Sequence, residues 1–168
     1  MRWYNLTMST DNAVFRVGDA VVYPLQGVGS IISCEKRRER EYYRIGIAAS
    51  DMDVLLPVEN ASALGLRHLA TVTEAKKAIS SLSEKKDTRG LDWKQRLLKN
   101  QELMKDGSLA SIAIVVNSLY RRSKVKELPV QERKLYDNAL SILVDETSSV
   151  LGIGTEEIKK KIFAKLEK

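Results

Sequence analysis

The 168-residue chain contains a single cysteine, Cys34, and a single histidine, His68. One cysteine closes no internal disulfide, which suits a reducing compartment. One cysteine and one histidine cannot furnish a structural zinc site. A Ser/His/Asp or Cys/His catalytic arrangement would have to use His68. That residue sits in Gly65-Leu66-Arg67-His68-Leu69 with no nucleophile signature beside it. It reads as a surface or half-buried histidine. No acid/base pair, phosphate loop or metal cluster is apparent, which makes an enzyme the least favoured class and predicts no cofactor. No apolar run reaches the roughly 18 residues of a membrane helix. The first seven residues, Met1 to Thr7, lack the apolar core of a secretion signal. These absences point to a cytoplasmic protein with no membrane and no small-molecule substrate.

What is present is an ordinary soluble mixture, 43% hydrophobic and 30% charged. The net charge of +6 is unevenly spread. Residues 1–72 carry 8 basic and 8 acidic side chains, and residues 73–168 carry 20 and 14. Between Lys85 and Lys134 there are 13 basic and 6 acidic residues. Such concentration suits a polyanionic partner for the second half, or a solvated, mildly basic helical surface.

The texture changes near residue 72. Before it, Val14-Phe15-Arg16-Val17, Ala20-Val21-Val22-Tyr23, Ser30 to Cys34, Tyr42 to Ile47 and Met52 to Leu56 read as short strands. Gly18-Asp19, Pro24, Gly27, Gly29, a charged stretch from Glu35 to Glu41, and Ser50-Asp51 separate them. The spacing predicts a small SH3-like or Tudor-like antiparallel β-barrel, or a strongly curved sheet, over residues 13–72. Residues 1–12 read as an unstructured leader in which Met8 is an alternative start.

After it the period lengthens. Thr73 caps a helix to about Ser83, and Lys85 to Gly90 read as a linker. Asp92 caps a second helix from Trp93 to Met104, which Asp106-Gly107-Ser108 breaks. Leu109, Ile112, Ala113, Val116, Leu119 and Tyr120 share a face of a third helix. Pro129 suits the first turn of a fourth, striped by Leu135, Ala139, Ile142 and Leu143 and ended by Gly152 and Gly154. Thr155 opens a last helix with a Lys159-Lys160-Lys161 run. The fold class is α+β: a small barrel, then an all-α domain over residues 73–168.

Two segments of the second half can carry function. In Leu91-Asp92-Trp93-Lys94-Gln95-Arg96-Leu97-Leu98-Lys99, a tryptophan stands among three basic residues at a helix start. Basic side chains neutralise phosphate, and a flat apolar ring can wedge at a base step. Trp93 also shares a narrow helical face with Leu97 and Met104, and from the residues alone a core position is the favoured reading. In Tyr120-Arg121-Arg122-Ser123-Lys124 and Gln131-Glu132-Arg133-Lys134, basic residues gather where the third and fourth helices join. A solvated face paired to Glu127 and Glu132 is the alternative.

Taken in order, these segments resemble the CarD/CdnL family of bacterial transcription regulators. The resemblance rests on Val17-Gly18-Asp19-x-Val21-Val22-Tyr23-Pro24-x-x-Gly27, Pro57-Val58-Glu59-Asn60-Ala61, Trp93-x-x-Arg96, Asp106-Gly107, Leu119-Tyr120-Arg121-Arg122 and Leu128-Pro129-x-x-Glu132-Arg133. It covers nearly all of residues 14–150. It implies that the first domain binds the β subunit of RNA polymerase and that the second contacts promoter DNA at the upstream edge of the transcription bubble. The family's tryptophan falls on Trp93, where it would enter the minor groove. A DNA-contacting basic position of helix four falls on Arg133, and a polymerase-contacting arginine falls on Arg37. With the basic residues of the two segments, the expected DNA-binding set is Trp93, Lys94, Arg96, Lys99, Arg122, Arg133 and Lys134, and the expected polymerase-binding set is Arg37, Val54 and Leu55. Two positions depart from the pattern: a polymerase-contacting basic residue falls on Leu55, and a DNA-contacting lysine falls on Leu98. An RNA-binding or ribosome-associated barrel using Tyr42 and Tyr43 is an alternative, against which the neutral first half argues. A helix-turn-helix repressor is another, for which the third helix is too apolar.

Overall fold

A computed structural model describes residues 15–85 and 90–168. The expected leader at 1–12, Val14 of the first expected strand, and residues 86–89 of the expected linker lie outside the described residues. The first half is a five-stranded antiparallel sheet: β1 (Ala20–Tyr23), β2 (Gly27–Arg37), β3 (Arg40–Ile47), β4 (Asp53–Pro57) and β5 (Arg67–His68). The strand order is β4-β3-β2-β1-β5, so β4 and β5 are its margins.

Alternation fixes which face is core. Tyr43, Ile45 and Ile47 of β3 are buried, and they pack with Val21, Ile31 and Leu56. Tyr42, Arg44 and Gly46 point to the other face and are half-buried. The sheet is held closest at Gly29, where a Cβ would run into the Gly46 carbonyl oxygen. Glycine is required there because a neighbouring backbone occupies the side-chain space.

Three sequence expectations are corrected here. Phe15 to Val17 are not a strand. The Arg16 N–H donates to the Asp19 carboxylate at 2.8 Å and the Asp19 N–H to the Arg16 carbonyl at 3.0 Å, a closed turn that leaves no ladder partners. Phe15 instead plugs the sheet core, edge-on to the Tyr43 ring and 4.7 Å from the His68 ring centroid. The fifth strand is β5, two residues long and therefore without a readable alternation. The charged stretch Glu35 to Glu41 is also no loop. It continues the β2–β3 ribbon to a tight turn at Arg38–Glu39, because cross-strand pairs such as Lys36 with Glu41 suit a solvated ladder.

The second half is helical: α1 (Val72–Ser81), α2 (Trp93–Asp106), α3 (Leu109–Val125), α4 (Val130–Leu151) and α5 (Thr155–Leu166). Ile112, Leu119, Leu143, Ile158 and Ile162 are among its fully buried side chains. Burying each stabilises the fold by roughly 1.5–3 kcal/mol against an exposed reference. Asp92 caps α2 in a reciprocal box with Gln95, and Gly107 ends α2 in the left-handed conformation. Ser108 then caps α3. The Ser111 and Ser108 hydroxyls donate to the Asp106 carboxylate and hold it below its ordinary pKa. Pro129 is the N-cap of α4 rather than its first helical residue. No helix among the described residues is long and apolar enough to cross a membrane.

The cap of α1 is Thr71, not Thr73. Only Thr71 has an acidic residue three positions on, Glu74, whose carboxylate returns to the Thr71 N–H at 2.8 Å. Thr71→Ala should lower stability by about 1 kcal/mol in urea denaturation. That N–H holds the Glu74 carboxyl below its ordinary pKa. The linked stability is therefore complete above the ordinary carboxylate pKa and fades as pH falls through the lowered folded value.

Candidate functional site

The first turn of α2 presents Trp93 and Lys94. Trp93 shares a face with Leu97 and Met104, but it lies one turn ahead of the packed stretch, which begins at Arg96 and Leu97. It therefore overhangs the bundle with 40% of its surface exposed. The Lys94 ammonium sits 5.8 Å from its ring centroid, a loose cation–π contact that leaves the lysine in solvent.

Arg96 is corrected. Its side chain is buried, and its Nε and Nη2 donate to the Glu132 carboxylate at 2.7 and 2.8 Å. Glu132 is itself fully buried in the first turn of α4. Arg96 thus staples α2 to α4, with its donors turned into that pair rather than to solvent. With the four-residue link from α3 to α4, it gathers the start of α2, the end of α3 and the start of α4 at one end of the bundle.

The remaining basic positions reach that end unequally. Lys134 is exposed and borders a shallow groove of about 380 Å³ that it shares with Gln101 of α2 and with Gln131, Leu135 and Asn138 of α4. Lys94 and Gln101 lie about 20° apart around α2 but two turns apart along it, so the groove at Lys134 lies further down the helix than Lys94. Arg133 is exposed, about 100° around α4 from Lys134. It faces Tyr136, whose hydroxyl burial pushes up to about 12 and Arg133 partly draws back. Arg122 is half-buried in the last turn of α3. Lys99 is exposed but lies about 140° from Lys94 around α2. Leu98, 62% exposed, stands one turn after Lys94 on nearly the same face, which Lys99 does not share.

At the other end of the chain, β4 is an edge strand bonded on one side to β3. Alternate residues of such an edge leave backbone groups open to a partner strand. Val54 is corrected as a side-chain contact: it pairs with Ile45 and packs on the sheet core. Leu55 faces outward, directly across from Arg44. Arg44 escaped the sequence reading because its value lies in this register. It places a cation on the same face as Leu55. Arg44 donates to Glu35 at 2.6 Å and to Asp53 at 3.3 Å, and it holds the Glu35 carboxyl below its ordinary pKa. Arg37 is exposed at the end of β2, 3.2 Å from Glu35, so the three belong to one charged surface.

The aromatic pair suggested for RNA does not form a stacking platform. Tyr43 is buried and donates its hydroxyl to the Phe15 carbonyl at 3.2 Å, and only Tyr42 remains half-exposed. Adjacent strand residues face opposite sides, so the two rings cannot serve one surface.

Two family models match in chain order. Residues 15–70 match the CarD-like/TRCF RID domain, and residues 77–163 match the CarD C-terminal domain. A Bacillus subtilis (strain 168) protein described as "Putative transcription factor YdeB" is 31% identical over 150 residues, covering 87% of this chain and 98% of that protein. The β half and the helical half thus match in the same order as in the family, and the chain belongs to the CarD/CdnL family of transcription regulators.

Proposed function

We propose that the protein binds the β subunit of RNA polymerase through the β4 edge and stabilises the open promoter complex by placing Trp93 in the minor groove at the upstream edge of the bubble. The observation that carries this reading is the exposed Trp93 ring with Lys94 beside it. A ring of this kind fills a base step that is already unstacked more readily than one it must open itself. That difference is a preference for open over closed DNA, which is what shifts the equilibrium.

Lys94 holds the backbone beside the ring, while Lys99, Arg122, Arg133 and Lys134 approach phosphates from the flanks. Such contacts position the duplex without reading sequence. The Leu55–Arg44 surface and Arg37 surround the strand edge, where backbone pairing supplies the affinity. Docking to polymerase raises the local concentration of a helical half that binds DNA weakly by itself.

The test is the lifetime of open complexes formed with purified polymerase, with and without the protein, after a competitor challenge. A longer lifetime with the protein supports the reading, and an unchanged one sinks it. Each of Lys94→Ala and Lys134→Ala should reduce the slope of log affinity against log salt by about 1 and weaken different promoter sequences equally. Fluorescence anisotropy across a salt series measures this.

A further inference from the structure

We infer that Arg67 and Glu146 are positioning residues, which clasp the β half to the helical half and thereby fix where Trp93 stands relative to the β4 edge. The inference rests on the wedge reading above. Arg67 belongs to β5, at the margin of the sheet opposite β4. Its guanidinium forks onto Glu146 of α4, with Nη1 to Oε1 at 2.6 Å and Nη2 to Oε2 at 2.8 Å. Glu146 is fully buried, and its Oε1 also accepts the Ala70 N–H at 2.9 Å, in the link between β5 and α1. The Arg67 Nε donates to the Gly107 carbonyl at 2.9 Å.

Gly107 ends α2, the helix that carries Trp93 at its far end roughly 21 Å away. One side chain therefore grips the sheet, the middle of the helical bundle and the foot of the wedge helix. The β1–β2 turn closes the same seam. The Pro24 ring packs over Gly107, Gly27 lies against Ile142, and Asn138 donates to the Leu25 carbonyl at 3.3 Å.

A flexible tether confines the ring to a volume, whereas a rigid one places it at a point and leaves less ordering to be done on binding. A bidentate Arg–carboxylate pair sets angle as well as distance. If the pair served stability alone, breaking it would lower the melting temperature and leave the wedge's efficiency per bound molecule unchanged.

The experiment uses the full chain with Cys34→Ser and spin labels at Met52→Cys and Leu98→Cys, both exposed positions. Pulsed dipolar spectroscopy should give a narrow distance distribution, broadened by Arg67→Met and also by Arg67→Lys, which keeps the charge but loses the fork. If Arg67→Met alone does not fold, the R67M/E146L pair leaves no buried charge unpartnered and replaces it. In unlabelled protein these variants should bind polymerase and free duplex as before, yet shorten the open-complex lifetime about tenfold. An unchanged distance distribution in the folded variants overturns the clasp. So does an unchanged lifetime where Trp93→Ala shortens it. If Trp93→Ala is silent as well, the wedge reading has failed, and the distance distributions alone then decide the clasp.

Discussion

Trp93→Ala is expected to shorten the life of the promoter open complex about tenfold, a loss of about 1.4 kcal/mol of preference for open over closed DNA. Unstacking a base step costs a few kcal/mol, and the ring gains from the cavity only where that cost has already been met. The substitution should therefore act on the open complex far more than on binding to intact duplex. It should also leave the fold nearly untouched, because Trp93 lies one turn ahead of the packed face of α2 and is 40% exposed. Polymerase binding should be unchanged, since the proposed docking edge is β4, on the other half of the chain. Trp93→Phe should retain part of the effect through its smaller ring. Competitor-challenged decay of the open complex measures all of this, and equal decay rates for wild type and Trp93→Ala would exclude the wedge.

Glu132→Ala should be the most destabilising of the changes considered, by about 3–5 kcal/mol, because it leaves the Arg96 guanidinium buried without its partner. The pair R96M/E132L removes both charges and substitutes apolar groups of similar size. It should cost far less, and either sign is within the range of such replacements. Urea denaturation of the three proteins measures the difference. The same double variant separates structure from recognition. If Arg96 only staples α2 to α4, its DNA affinity and salt slope match wild type. If Arg96 also reached a phosphate, the slope would fall by about 1.

Arg96 shows why part of the site was hidden in the sequence. Lys94 and Arg96 are both basic and two residues apart, and charge patterning treats them alike. One is exposed over an indole ring and the other is sealed in an ion pair, because about 200° of helical rotation separates them. The partner that removes Arg96 from solvent is 36 residues away. Arg44 is the converse case: nothing in Tyr42-Tyr43-Arg44-Ile45 marks it, and only the pairing with Leu55 gives it a place on the β4 face.

The features that the chain wrote locally were legible. The Gly18-Asp19 turn, the Asp92 cap, the break at Gly107 and the stop at Gly152 all depend on residues within four positions of one another. The cap of α1 was open to the same local reading, since Glu74 lies three positions after Thr71. Thr71 and Thr73 are equal as isolated cap residues, and the reciprocal bond to Glu74 separates them.

By itself, then, the amino-acid order determined the two-part architecture, the run of helices and the position of Trp93 at a helix start, because strand alternation, caps and apolar stripes are short-range patterns. Tertiary structure alone decided that Trp93 overhangs, that Arg96 turns inward, that Arg44 stands across from Leu55, and that Arg67 ties the two halves through Glu146 and Gly107. Each of those outcomes depends on a partner from another strand or helix. Desolvation and register are properties of such packing, and no window along the chain contains both members.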